Sequence, residues 1–305
     1  MFALRRRMTI KTPILNSVTI ALSSLFLVLF NIQIHAAPKG KVLIVRYPSS
    51  LTPGDTRADY DRAIVDLLLQ KTQEKYGPYE LIGSVRMQQS RALVSLKDNQ
   101  LVDVVPTTSS IERERDLLPI RHDIHKGLMG VKMFLVRKAD LPKYAGITKI
   151  EELQKFTVGQ GHDWPDASVF KDAGFKVMTS PTYEGLFKML STDRFDIFPR
   201  SLPEIWDEER THSSENLVVE PHLAVVYRVP AYIFVNKKNT ELAKRLEEGF
   251  EIALKDGSFD KLFMAKHGAN IEKAKIKTRK VFYIENPVLP PEYKGSKPDL
   301  GFLFQ

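Results

Sequence analysis

Short apolar runs of strand length alternate with amphipathic runs of helix length through most of this chain, and that alternation limits the fold more than any other feature. Residues 42–46 form an apolar run that ends at Arg46, Tyr47 and Pro48, and the turn residues Ser49, Ser50, Pro53, Gly54 and Asp55 follow. From Asp59 to Tyr76, Tyr60, Ala63, Ile64, Leu67 and Leu68 recur at helical spacing until Gly77-Pro78 stops the run. A second strand is predicted over 79–85, a second helix over 88–97 and a third strand over 101–105. Strand, helix, strand in this order predicts an α/β fold with mostly parallel sheets flanked by helices. In such sheets ligands bind beyond the carboxyl ends of the strands. Arg46, Tyr47, the segment 87–91 with Arg91, and the segment 107–113 all fall there.

A longer strand is predicted over 128–137, after which a second α/β series begins. It runs through a helix at 149–153, a strand at 156–159, the loop 160–164, a helix at 166–173, a strand at 175–178, a helix at 182–190 and a strand at 195–198. The β-branched stretch 217–227 and the run 231–236, separated by Pro230, lead back to the first series. The amphipathic helix 240–255 and a further helix over 258–267 close it. Two strand-like crossings, at 131–137 and 226–236, imply that one lobe is inserted into the other. The expected organisation is lobe 1 from 37–134 and 229–289, lobe 2 from 135–228, and an extended tail over 290–305 that packs its aromatic end, Phe302 and Phe304, on a lobe.

The amino terminus reads differently from the rest. Arg5, Arg6, Arg7 and Lys11 precede an apolar run over 19–30, and Ile34-His35-Ala36 places a small residue at a cleavage point, so 1–36 reads as a secretory signal peptide. An uncleaved anchor is the competing reading. The formal charge of +8 includes those four basic residues with no acidic residue beside them. The remainder is only mildly basic and carries no basic block interleaved with aromatics, which argues against a nucleic-acid partner. Cysteine is absent. That excludes thiol catalysis, Cys-ligated zinc and iron–sulfur sites, and leaves an exported chain of 305 residues to rest on its core.

The most chemically loaded stretch is 101–137. A strand stops at Pro106, the hydroxyls Thr107, Thr108, Ser109 and Ser110 follow, and a charged helix starts at Ile111. Free amides at that helix start, joined by Arg113, suit a carboxylate or another small anion. The plainer reading is a capped helix, with Ser110 as N-cap and Arg113 and Arg115 as surface charges. In the second series, Gly159-Gln160-Gly161-His162-Asp163-Trp164 joins a strand to a helix. Its amides, with Gln160, could close on the other end of a ligand, and Trp164 could stack on one or simply pack in a lid. His122 and His125 are poorly spaced for one metal and no third ligand is evident. Glu184 and Asp196 are conceivable as a catalytic pair, but nothing places them together, and no hydrolase, zinc-protease or phosphate-loop motif occurs.

The order of these motifs resembles the family 3 periplasmic solute-binding proteins. The resemblance rests on the leader, the strand leading to an aromatic and Pro, the Ser110-Ile111-Glu112-Arg113 turn, the double crossing and the closing Asp256-Gly257-Ser258-Phe259. It implies a type II two-lobe fold hinged at two crossings, with a ligand held between the lobes and no cofactor or catalytic residues. The implied partners are a small-molecule ligand and an inner-membrane ABC-type transporter or sensor, with the protein a periplasmic monomer. An enzyme of the cyclic-acid dehydratase type is an alternative on the same fold, and a ligand-free interaction module, marked by a mostly buried Arg113 and a filled cleft, is another.

The same resemblance implies that Arg113 binds the α-carboxylate of an amino acid, that Ser109 and Ser110 supply further donors, and that Tyr47 is the aromatic after the first strand. One departure bears on the ligand. Where relatives place an acid for the ligand ammonium, this chain has Arg200 in Asp196-Ile197-Phe198-Pro199-Arg200. With Arg46 and Arg91 also predicted at the cleft, the expectation is an anionic ligand, unless Arg200 pairs with Glu204 or Glu208. The segments 87–91, 126–130 and 198–204 further resemble an uncharacterised branch of that superfamily.

Overall fold

The computed structural model describes residues 41–49, 57–293, 295 and 300–303. The predicted leader, the loop 50–56 and Phe304 lie outside the described residues, as does the side chain of Phe302.

The first half of the described chain runs β1 (Leu43–Ser49), α1 (Arg57–Lys71), α2 (Gln73–Tyr76), β2 (Tyr79–Arg86), α3 (Gln89–Lys97), β3 (Val104–Thr108), α4 (Ile111–Asp116), β4 (Leu118–Ile120) and β5 (Val131–Arg137). The second lobe continues with α5 (Ile150–Leu153), β6 (Val158–Gly161), α6 (Asp166–Asp172), β7 (Val177–Ser180), α7 (Tyr183–Ser191), β8 (Phe198–Ser201), α8 (Ile205–Thr211), β9 (Leu217–Val219) and β10 (Leu223–Val226). The chain closes with β11 (Ala231–Val235), α9 (Thr240–Lys255), α10 (Ser258–Ala274) and β12 (Lys280–Tyr283).

Parallel pairing occurs where the sequence alternates strand and helix, at β1–β2, β6–β7 and β10–β12. The strands next to the crossings pair antiparallel instead. β11 lies between β3 and β4, and β5 pairs with β8, β9 and β10. Among the described residues, the pairs β1–β2 and β6–β7 are parallel, β3-β11-β4 is antiparallel, and the five-stranded sheet β12-β10-β5-β8 with β9 on β5 is mixed.

Two differences from the sequence expectation concern lobe membership. All of β5 pairs within the second sheet, and β12 pairs with β10, so residues 280–283 lie in the second lobe's sheet rather than the first. The close approach of the two connecting segments explains one glycine. Tyr227 N–H donates to Gly130 O at 3.1 Å, and a Cβ at Gly130 would stand 1.9 Å from the Tyr227 carbonyl oxygen. Only glycine fits between those backbones.

Helix α9 shows how the first lobe is held. Asn239 accepts from Leu242 N–H, and Leu242, Leu246, Phe250 and Ala253 bury one face at helical spacing. The buried Arg245 on this helix donates to Thr72 Oγ1 and to the carbonyls of Leu69 and Gly77, tying α9 to the end of α1. Phe134, Tyr144, Phe170, Ile197 and Phe282 form a core in the second lobe. A smaller cluster of Met87, Leu96, Val105, Tyr232 and Phe234 packs under α3. In the tail, Leu300 and Leu303 are buried in the largest apolar cluster, and the Tyr293 hydroxyl lies 3.1 Å from that of Tyr232.

Candidate functional site

A cavity of about 240 Å³ lies in the cleft and draws its wall from both lobes. Gln88, Gln89, Thr107, Thr108 and His125 come from the first, and Gly161, Asp163, Trp164, Asp166, Tyr183 and Arg200 from the second. A second opening adjoins it, lined by Ser110, Arg113, Asp163 and Trp164.

Behind the first wall stands Arg113, which lines the adjoining opening rather than the cavity itself and is bonded to the wall residues Thr107, Thr108 and Gln89. β3 extends to Thr108, so Pro106 lies within the strand rather than ending it. Pro106 pairs with Ile233 of β11, and among the described residues β3 is an edge strand of its sheet, a position that tolerates the missing N–H. Thr107 and Thr108 therefore leave the strand directly over α4. Arg113 Nη1 donates to Thr107 Oγ1 at 3.0 Å, to Thr108 Oγ1 at 2.8 Å and to the Thr108 carbonyl at 2.6 Å, while Nη2 donates to Gln89 Oε1 at 2.7 Å. Burial pushes the guanidinium down to about 10, opposed by Asp166 and Asp163 across the cleft and by Glu112, so it is still charged at neutral pH. All four acceptors are neutral, and the positive charge is not cancelled locally.

Helix-start amides do not form an anion site. Ser110 caps the helix by accepting from Arg113 N–H at 3.2 Å, Ile111 N–H donates to the Val288 carbonyl, and α4 is only six residues long. The Ser109 hydroxyl donates to Glu114, so it is committed too.

The second wall is built on β6 and β8. Trp164 folds back over the end of β6, where a Cβ on Gly161 would stand 2.5 Å from the indole. Its ring stacks with Phe198 at 6.4 Å, and the Arg200 guanidinium carbon lies 4.8 Å from the Trp164 ring. Arg200 is the clearest departure from the sequence expectation. It is buried, forks onto Glu208 with contacts of 2.7 and 2.6 Å, and donates to Glu204 at 3.0 Å. Burial alone penalises the charge, but Glu204 and Glu208 outweigh it and hold the guanidinium ionised. Two carboxylates against one cation leave this cluster negative, so Arg200 is not a free cation awaiting an anion. The Tyr183 hydroxyl also donates to Glu208, at 2.9 Å. Nearby, Asp166 accepts from Lys132 Nζ at 2.8 Å and from the Tyr227 hydroxyl at 2.6 Å. Burial works against its charge, and Lys132 keeps it ionised below the usual carboxylate range.

The other nominated residues stand elsewhere. Arg46 forks onto Asp103 at 2.8 Å and also donates to the Gln100 carbonyl, and it is not part of the cavity wall. Tyr47 packs half-buried against the core, also off the wall, and Arg91 is exposed on α3. Gln160 is fully buried with no hydrogen-bond partner for its side-chain amide, and it does not line the cavity. Arg46 stands off the wall because a strand end says where a side chain begins and not which distant carboxylate it meets.

Residues the sequence did not single out are Gln89, Asp166, Lys132, Tyr183 and His267. The motif at 87–91 was the one local signal that pointed toward Gln89. His122 pairs with Glu247 at 2.7 Å and His125 with Asp61 at 3.0 Å. Among the described residues, no group of three or more His, Asp or Glu side chains is placed to hold a metal.

Two mixed α/β lobes with a cleft between them are an architecture also seen in solved periplasmic binding proteins. No family model matches the chain, and no curated protein matches it in sequence. Solved structures do. An ancestral arginine-binding protein bound to glutamine superposes with a TM-score of 0.58 at 18% identity, covering 75% of this chain and 100% of that one. The probable amino-acid ABC transporter extracellular-binding protein ytmK from Bacillus subtilis gives 0.56 at 19% identity, over 75% and 99%. A histidine kinase sensor domain with similarity to periplasmic binding proteins gives 0.52 at 17% identity, over 75% and 96%. At these identities the likeness is one of fold.

Proposed function

We propose that the protein is a solute-binding protein that holds a small amino-acid-like zwitterion in the cleft, carboxylate toward Arg113 and ammonium toward the second lobe. One observation carries this reading. The Arg113 cation is surrounded by neutral acceptors, while the wall across from it holds more carboxylates than cations: Asp163, Asp166 paired with Lys132, and Glu204 and Glu208 sharing Arg200. A cleft with one positive and one negative side orients a dipolar ligand, and closing it removes water and strengthens both contacts. The purely anionic ligand suggested by Arg200 loses its support.

A panel of zwitterionic amino acids and dicarboxylates, read by thermal shift and calorimetry, tests this. A ligand at about 100 times its Kd adds roughly 2.7 kcal/mol, several degrees in Tm. Zwitterions should produce the shift and dicarboxylates should not, and the reverse order would overturn the reading.

Delivery to an inner-membrane transporter is the role that fits the similarity to an ABC-transporter binding protein, and sensing is the alternative that fits the similarity to a kinase sensor domain. Ligand uptake by cells with and without the protein separates them. The proposed location is the periplasm, on the strength of the amino-terminal leader pattern. Among the described residues no helix is long and apolar enough to cross a membrane. Export with cleavage should yield a protein beginning at Ala37. Simple binding leaves the ligand's mass unchanged after incubation, whereas a dehydrated product would reveal an enzyme.

A further inference from the structure

His267 is an unexplained polar group in the cleft wall. It is 1% exposed, and neither of its ring nitrogens has a hydrogen-bond partner. The ring is held in place by Tyr60 at 4.4 Å, Phe263 at 5.1 Å and His125 at 5.3 Å, so it has no nearby route to water. A phenylalanine would suit that aromatic nest better, because burying two unsatisfied nitrogens costs stability and returns nothing within the fold. His125 adds a third unpartnered nitrogen, Nδ1, since its Nε2 is committed to Asp61. Both imidazoles belong to the wall of the 240 Å³ cavity.

We propose that His267, with His125 beside it, forms a subsite that recognises a neutral hydrogen-bonding end group of the ligand, a hydroxyl or a carboxamide. The assignment rests on the solute-binding reading above and names the ligand class for that same cleft. Burial, with His125 and Lys266 nearby, lowers the His267 pKa to about 3, so at neutral pH the ring presents one N–H donor and one bare acceptor. Burial opposes a charge on His125, but Asp61, Asp123 and Glu204 outweigh it and raise its pKa. A ligand cation there meets Lys266, and a ligand anion meets Asp61, Asp123 and Glu204. A group that both donates and accepts without net charge meets neither penalty. The unpartnered nitrogens are shielded from water in this conformation, and engaging them takes a side-chain adjustment as the lobes close on the ligand.

The experiment is calorimetric titration of the purified protein with L-serine, L-threonine, L-asparagine and L-glutamine, alongside L-valine, L-leucine, L-aspartate and L-glutamate. The wild type should bind at least one of the first four about tenfold or more tighter than its apolar and acidic counterparts, and His267→Phe should remove that preference. His267→Asn, which keeps a donor and an acceptor, should restore part of it. If the wild type binds all eight with similar affinity, or if His267→Phe keeps the preference, the subsite is wrong and the solute-binding reading survives. If none of the eight binds, the zwitterion reading falls and takes the subsite with it. The wild-type selectivity decides the matter alone should the Phe variant fail to fold.

Discussion

Two buried arginines, one on each wall of the cleft, hold opposite electrostatic roles. Arg113 is surrounded by two hydroxyls, a carbonyl and a carboxamide, and its charge stays available to the cleft. Arg200 is gripped by Glu204 and Glu208 and serves as the positive centre of a cluster that is negative as a whole. A cation at a cleft therefore does not by itself specify an anionic ligand. What decides is whether the protein already supplies its counter-charge.

The largest test of this contrast is Arg200→Met. It strands two carboxylates in a buried site, and loss of one side of such a cluster costs about 3–5 kcal/mol. Urea unfolding should show that drop, and near-parental stability would mean that the cluster is not the structural unit described. Arg113→Ala tests the other side. Its partners are neutral, so stability should fall less than in Arg200→Met, while affinity for the bound zwitterion should fall roughly 10- to 100-fold, the worth of a charge-assisted contact of about 1.5–3 kcal/mol. Equal affinity in calorimetry would remove Arg113 from the binding role.

Acid sharpens the comparison further, because the first wall contains a histidine held neutral. The folded state keeps His267 unprotonated down to about pH 3, while the unfolded chain takes up a proton near 6.5. Its contribution to stability is thus full above about pH 6.5 and is lost as the pH falls toward 3, by up to about 1.4 kcal/mol per pH unit. His125 acts the other way, since its raised pKa favours the folded state at lower pH and that gain disappears as the pH rises through it. His267→Phe should flatten the acid limb of a stability–pH curve, and an unchanged limb would assign it to other groups. The smallest effect belongs to the charges between α10 and α8. Lys273 lies 3.6 Å from Glu209 with its side chain largely exposed, and Lys273→Ala should cost no more than about 1 kcal/mol.

Much of the local fold was readable. Helical spacing marked α1 and α9, Gly77-Pro78 marked a stop, and Ser110 announced its cap. Gly161 followed three residues later by Trp164 identified a strand-to-helix turn that does reach the cavity. Arg113 was readable as a cleft candidate because its strand, its hydroxyls and its helix are contiguous. Where partners are distant in sequence the reading failed. Arg46 meets Asp103, 57 residues on, and that meeting takes it out of the cleft. His267 looked like the end of a helix, but α10 continues to Ala274 and packs His267 against Tyr60 and His125.

By itself the sequence determined the α/β alternation, the two series, the need for a chain crossing and the residue types available to the cleft. These follow from short-range periodicity and from the backbone demands of Gly and Pro. Only the tertiary structure decided which strands run antiparallel at the crossings, that β12 joins the second sheet, and which charged groups meet. The physical reason is that an ionised side chain takes its meaning from partners within a few ångströms, and packing selects those partners from anywhere in the chain.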